Sequence, residues 1–428
     1  MQDAKPRILI ATLGTRGDVQ PYIALARELV KLGAEVVVST GEGFETMIEN
    51  AGARSRPAAI NFQALLQQDE IKEALHSVTG KLKAARRNMA LQQNVAKDFW
   101  TTGLEEKPDL ILFNLKATVM TLVGRRLDVP ALSTALQPVI APTRAFPLAL
   151  FGIPDMGPYL NRKSFGLGRL LMRFGLGALF KPLRTEAAKE LGATGSTIDG
   201  FAPERMSALS LQAYSRALVP TPDDWPAEYW QCGYWFTDPD PDFTPTEDLA
   251  RFLGEGAPPV YLGFGSMPSK DPKDLTEILF GALGMTGQRA VIATGWGGLV
   301  KETLPSGLAE RVLVIDNAPH SWLFPKCAGI VHHGGAGTTH EALRWGRPSL
   351  VCPVFGDQPF WAERVHKIGA GPAPIPQKKL TPETLSGALK ELEKQDHATS
   401  AQKAAAEMAR EPGARGTAER LMGLLAPS

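Results

Sequence analysis

The sequence predicts an α/β protein built from two Rossmann-like halves. Three observations carry this. The chain has 428 residues, more than one ordinary domain holds. Short apolar runs alternate with helix-spaced apolar patterns in two separate stretches, as repeated βα units of a doubly wound parallel sheet do. Between them lies "FTDPDPDFTPTED" (236–248), acidic, proline-rich and without periodicity, which reads as a linker. The expected domains are 1–238 and 239–428.

In the first half, "RILIATL" is a continuous apolar run suited to a strand buried on both faces. Pro21 is expected to open a helix, because Ile23, Leu25, Ala26, Leu29, Val30 and Leu32 recur at helical spacing. Gly33 stops it, and "EVVVST", "DLILF" (109–113) and "PALSTAL" (130–136) continue the strand series. The rhythm is lost over 137–205, where 156–185 holds six basic residues and no acidic one. Past the linker the alternation restarts with "PVYLGFGS", "AVIATG", "VLVID", "GIVHH" and "SLVCPV". The last segment, "GARGTAERLMGLL", reads as a helix able to pack back on the first half.

Composition narrows the function. Lys plus Arg number 46 against 45 Asp plus Glu, which argues against a dedicated nucleic-acid binder. Cys232, Cys327 and Cys352 are odd in number and widely spaced, so neither a disulfide framework nor a zinc ribbon is expected and a reducing, cytoplasmic setting fits. The N-terminus lacks the apolar core and cleavage site of a signal peptide. No run approaches the ~20 apolar residues that span a bilayer.

The chemistry concentrates in "HHGGAGTT" (332–339), where a buried strand ends and a helix begins. Glycines admit a ligand close to the backbone, and free N–H groups of a first helical turn attract anions. Thr338, Thr339 and an imidazole add donors suited to a diphosphate. A zinc site needs further ligands that adjacent histidines do not supply. On the octapeptide alone, a glycine turn with two satisfied histidines is the competing reading. Asp357–Gln358 in "PVFGDQPF" follow another buried strand at the same sheet edge, where ligands bind in α/β folds. A carboxylate beside a carboxamide can accept from and donate to sugar hydroxyls, or simply form a turn before Pro359. Glu341 suits ribose hydroxyls or a solvated first turn.

With these motifs in view, "HHGGAGTTHEAL" and "PVFGDQPF" resemble the donor-binding motifs of nucleotide-sugar-dependent glycosyltransferases of the GT-B fold. "GTRGDVQPYIALA" (14–26) and "PTRAFP" (142–147) are similar to motifs of the sterol glucosyltransferase group and its antibiotic-aglycone relatives. The resemblance spans both halves and is weakest over 150–230. It implies two Rossmann-like domains facing each other across a cleft. It also implies inverting transfer of a hexose, glucose, from a UDP-sugar to the hydroxyl of a lipophilic acceptor such as a sterol or triterpenoid.

Residue by residue, the resemblance assigns His333 to the donor diphosphate, with Gly335, Gly337 and Thr338 as the cradle, and leaves His332 to finish the strand. Glu341 stands at a ribose position, Asp357 and Gln358 at sugar hydroxyls, and Ser266 where a serine faces the donor. Gly14, Thr15 and Arg16 belong to the same donor set. Asp18 occupies the place of a catalytic histidine (HxxP in many members, "DVQP" here), as general base for the acceptor hydroxyl. Its competing role is a capping carboxylate for the helix that follows. Asn317 replaces the base-stacking Trp of plant members, so base recognition is expected at Ala318 and His320. No metal is expected, because fixed donors at a helix terminus and His333 can meet the leaving charge.

Other acceptors consistent with the sequence are polyketides, glycopeptides and hydroxy fatty acids. The basic, apolar 156–185 segment fits a peripheral membrane contact or a wall of the acceptor pocket. A nicotinamide oxidoreductase would need G-x-G-x-x-G after the first strand, and "GTRGDV" lacks it. A non-catalytic nucleotide-sugar or lipid-binding protein would have no need of Asp18, His333, Asp357 and Gln358 together.

Overall fold

A computed structural model of the chain describes residues 5–61, 78–179, 183, 209–240, 242–264, 272–294 and 304–426. The aliphatic runs of the sequence form two parallel sheets. In the first, β1 (Arg7–Ala11), β2 (Glu35–Gly41), β3 (Arg54–Ala58), β4 (Leu110–Phe113), β5 (Ala131–Ala135), β6 (Ser210–Gln212) and β7 (Tyr229–Gln231) lie in the order β3-β2-β1-β4-β5-β6-β7. In the second, β8 (Val260–Gly263), β9 (Ala290–Ala293), β10 (Val312–Ile315), β11 (Gly329–His332) and β12 (Ser349–Val351) lie in the order β10-β9-β8-β11-β12. Central strands such as Leu110–Phe113 and Val260–Gly263 are buried at every residue, as helices on both faces of a parallel sheet require.

Each sheet has one point where the strand order reverses, between β1 and β4 and between β8 and β11. The loops leaving two strands diverge there and open a crevice at the carboxyl edge.

The first helix differs from the expectation. α1 spans Arg16–Lys31 and carries Pro21 inside it instead of starting there. A proline in a helix forfeits one hydrogen bond and crowds the carbonyl four residues earlier. That residue is Gly17, which has no side chain to add to the crowding. The helix start is fixed upstream, where the Asp18 carboxylate accepts from the Thr15 backbone N–H at 2.9 Å, so capping overrides the proline signal.

The residues leading into the linker are anchored. Tyr234 and Trp235 are buried, and the Trp235 indole N–H donates to Thr417 Oγ1 at 3.0 Å. Thr417 belongs to α13 (Gly413–Leu425), which packs on α1 and contributes Ala418 and Leu421 to the core of the first sheet. Beyond Thr246, which caps α6 (Glu247–Gly254), the second half begins.

The remaining helices, taken in chain order, cover the sheets. In the first half these are α2 (Glu45–Asn50), α3 (Val78–Glu106), α4 (Met120–Leu127) and α5 (Pro158–Leu179). In the second they are α7 (Pro272–Thr286), α8 (His320–Leu323), α9 (Ala336–Arg344), α10 (Gln358–Lys367), α11 (Pro382–Leu392) and α12 (Gln395–Met408). An apolar cluster joins the two halves, bringing Phe146, Phe165 and Tyr214 together with Leu343, Phe360 and Trp361. Among the described residues no helix is long and apolar enough to cross a membrane.

Leu421 is fully buried. Leu421→Ala should therefore cost about 2–5 kcal/mol, read as a lower midpoint in chemical denaturation, although it lies far along the chain from the sheet it covers.

Candidate active site

The crevice of the first sheet holds the base candidate. The β1 and β4 loops are tied together where Asn114 Nδ2 donates to Thr12 Oγ1 at 2.9 Å. Asp18, in the first turn of α1, accepts at Oδ2 from the Thr15 N–H, the Thr15 hydroxyl (3.3 Å) and Lys116 Nζ (3.3 Å). All three bonds fall on one oxygen. Asp18 thus caps its helix and still has Oδ1 to offer a ligand, so the two roles weighed for it are compatible. Gly14 has φ 148°, and any side chain there would run into the Asp18 carboxylate. Thr15 and Gly14 therefore shape the loop around Asp18. Arg16 continues the same turn, its Nε donating to Gln20 Oε1 at 3.3 Å.

In the second sheet, β11 ends at His332, whose Nδ1 accepts from the Gly334 N–H at 3.0 Å. That bond makes His332 a neutral imidazole with Nε2 protonated, and it fixes the turn. Gly334 has φ 92°, a conformation glycine adopts without strain. Next comes His333, whose Nδ1 is buried without a hydrogen-bond partner. A side chain at Gly335 would come within 2.6 Å of His333 Nε2, so this glycine makes room for the ring. Thr339 Oγ1 donates back to the Gly335 carbonyl at 2.9 Å, and Thr338 lies half-buried in the same turn.

The two crevices meet. A Cβ at Gly337 would lie 3.9 Å from the Gly17 Cα and 3.1 Å from the Tyr234 hydroxyl. The first turns of α1 and α9 therefore face each other with glycine on both sides. Thr237 fastens them: its hydroxyl accepts from Gln20 Nε2 at 2.9 Å and its carbonyl from Arg344 Nη1 at 2.8 Å.

Burial sets the charge states. His333 and His320 are both pushed down to about 4 by burial, His320 with further lowering from Arg16 and His333. The imidazoles are thus neutral hydrogen-bonding groups at neutral pH. His320 stacks on Phe324 at 4.3 Å and its Nε2 meets the Tyr261 hydroxyl at 3.3 Å. Ala318 is half-buried just before it and Asn317 is exposed.

Asp357 stands at the N-terminus of α10 and its carboxylate accepts from Trp361 Nε1 at 2.8 Å. Burial raises its carboxyl to about 6, the Trp361 bond opposes this, and the Asp18 charge raises it further while Lys116 lowers it. Asp18, Lys116 and Asp357 accordingly share one electrostatic environment across the cleft. Gln358 is buried, with Oε1 accepting from the Val354 and Phe355 N–H groups at 2.8 and 3.3 Å. Its oxygen holds the loop, so the NH₂ is the group left to act.

Glu341 is likewise engaged, accepting from Trp345 Nε1 at 2.7 Å with Arg344 at 3.7 Å. Burial raises its pKa against those two partners. Ser266 lies outside the described residues.

Lys116, Asn114, Tyr234 and Trp361 were not singled out from the sequence. For Lys116 the one available signal was its position just past β4, beside the reversal of strand order. His340 is also buried here. It accepts from the Ser215 N–H at 3.2 Å and meets the Ala336 carbonyl at 2.7 Å, which satisfies both nitrogens and makes it a structural pin between the halves.

A carboxyl with a raised folded pKa adds stability that is present below its ordinary value of 3.8 and lost as pH rises through about 6. Asp357→Asn should thus melt higher than the wild type above pH 6, the gap closing toward pH 3.8, in thermal unfolding across that range.

Comparison with known proteins gives this geometry its context. Residues 8–141 match the glycosyltransferase family 28 N-terminal domain, and residues 300–424 match the erythromycin biosynthesis protein CIII-like C-terminal domain. A sterol 3-beta-glucosyltransferase of Arabidopsis thaliana is 33% identical over 90% of this chain and 60% of its own length. One of Saccharomyces cerevisiae is 32% identical over 89% of this chain and 32% of its own length. The chain therefore spans less than two thirds of the length of these curated relatives.

Among solved structures, the glycosyltransferase of kitacinnamycin superposes with a TM-score of 0.73 at 19% identity, covering 99% of this chain and all of that one. A Streptomyces sp. SF2575 glycosyltransferase complexed with thymidine diphosphate gives 0.61 at 22% identity, covering 98% and 99%. Two parallel-sheet halves and these matches agree on the fold: the chain has the GT-B fold of these glycosyltransferases, and it is similar to the sterol 3-beta-glucosyltransferases over about nine tenths of its own length.

Proposed function

We propose that the chain transfers a hexose, glucose, from a UDP-sugar to the hydroxyl of a lipophilic acceptor such as a sterol, with inversion at the anomeric carbon. One observation carries the reading. Asp18 sits in the first turn of α1 and His333, its Nδ1 unpartnered, just before the first turn of α9, and Gly17 and Gly337 of these two turns meet across the cleft. An acid thereby faces a diphosphate cradle. The relatives named as sterol 3-beta-glucosyltransferases supply the acceptor class.

In the proposed reaction the acceptor oxygen attacks the anomeric carbon as the bond to the diphosphate breaks. The hydroxyl proton passes to Asp18 Oδ1, and the bonding electrons leave with the nucleotide diphosphate. Oδ2 is held by Thr15 and Lys116, which aims Oδ1 without consuming it. The leaving charge is met by the N–H groups of the α9 first turn and by His333 as a neutral donor, groups fixed before the reaction begins. No metal is part of the proposal. Gln358 and Asp357 would hold the sugar, Glu341 the ribose, and Ala318 with His320 the base. We assign the activity to the cytoplasm, in keeping with three buried free cysteines, and to a membrane-peripheral setting through 156–185.

Asp18→Asn should leave nucleotide diphosphate binding intact and lower turnover by at least about a hundredfold, the usual share of a general base. Product formation from UDP-glucose and a sterol measures this, and near-normal turnover would remove Asp18 from the mechanism. Gly335→Ala should weaken UDP binding about tenfold or more by displacing the His333 ring, since a hydrogen bond to a charged group contributes that much. Calorimetric titration with UDP reads the change.

A further inference from the structure

A second cavity, of about 630 Å³, opens between the loop at Pro142–Arg144 and the first turns of α5. Arg144, Arg162, Lys163 and Arg169 line it, together with Tyr159 and Phe165. None of these residues belongs to the set around Asp18 and His333. Asp224 is the acid at its edge, and it is engaged: its carboxylate accepts from the Thr143 hydroxyl at 2.6 Å and the Arg144 N–H at 2.9 Å, and it pairs with Arg162 at 3.4 Å. Among the described residues, Arg144 and Lys163 bring positive charge to the cavity beside the Arg162–Asp224 pair. Lys163 lies over the Tyr159 ring at 5.5 Å, which holds an aromatic wall beside the charge.

The same helix presents a leucine ridge. Asn161, Ser164 and Phe165 are the buried face of α5. Leu160, Leu167 and Leu171 recur at helical spacing on a different stripe, and they stay exposed at 47%, 58% and 52%. Leu170 lies beside them at 50%. Exposed leucines grouped this way mark an interaction face. Cations flanking such a ridge are the arrangement of a helix lying in the plane of a bilayer surface, apolar side chains in the acyl boundary and basic groups at headgroup level.

We propose that this cavity binds the phosphate headgroup of an anionic phospholipid in a membrane, with the leucine ridge entering the acyl layer beside it. The proposal deepens, and rests on, the reading of a lipophilic acceptor met at a membrane surface. It makes the contact a defined headgroup site in place of a diffuse attraction.

Sedimentation with vesicles tests it. The wild type should pellet with phosphatidylcholine vesicles containing phosphatidylglycerol and remain in solution with phosphatidylcholine alone. The variant Arg144→Glu/Lys163→Glu reverses two exposed charges, so it should keep the wild-type melting temperature and bind the anionic vesicles at least about tenfold more weakly. Leu167→Ser/Leu171→Ser should lose binding to the same vesicles. Charge-reversed protein that binds as well as the wild type overturns the headgroup site. So does wild type that pellets with neither vesicle, or equally with both. Transfer of glucose to a detergent-solubilised sterol is scored separately. Transfer without vesicle binding overturns the headgroup site alone, and vesicle binding without transfer overturns the catalytic reading alone.

Discussion

The close approach of two helix N-termini governs the architecture of the candidate site. The first turn of α1 brings Asp18, the loop before α9 brings His333, and a Cβ at Gly337 would already stand 3.9 Å from the Gly17 Cα. A side chain at Gly337 would press on the Tyr234 hydroxyl and touch α1. Around this contact the chain builds reinforcement. Thr237 bonds to both helices, His340 pins α9 to the loop after β6, and an apolar cluster with Phe146, Phe360 and Trp361 spans the halves. Two helices whose partial positive ends point into one cleft repel each other mildly, so the approach needs these clamps, and an anion in the cleft would relieve the repulsion.

The electrostatics follow from burial. Burial disfavours a charged imidazole, so His320, His333 and His340 are all held near 4. Neutral rings donate hydrogen bonds without requiring a compensating charge when the cleft is empty. Positive charge is instead delivered from the rim by Arg16 and Lys116. The acids are treated differently from one another. Asp357 is driven toward its neutral form by burial, while Asp18 is gripped on one oxygen by three donors. Two carboxyl groups in one cleft thus receive distinct environments.

The halves are also interwoven in a way their sequence order conceals. α13 returns to cover the first sheet, and the Trp235–Thr417 hydrogen bond ties the start of the linker to the end of the chain. Glu411 adds a second tie, accepting from Ser215 Oγ at 2.9 Å and from the Arg216 N–H at 2.6 Å. Such cross-connections restrain relative motion of the halves more than a single flexible linker would.

The sequence by itself determined the parallel α/β architecture, because strands buried on both faces must be continuously apolar and helices must repeat at their own period. The glycine turn around His333 was legible as well, because positive φ at Gly334 and close approach at Gly335 are local demands readable from neighbours in the chain. Asp18 was legible only as one of two roles, and the start of α1 was misjudged because Pro21 is the louder local signal than the Thr15–Asp18 cap.

Tertiary structure alone decided the rest. Lys116 reaches Asp18 from almost a hundred residues away, Thr237 turns the linker into a clamp, and Trp361 fixes Asp357. Those partners meet where strand order reverses, and strand order is a property of the whole sheet that no local pattern encodes.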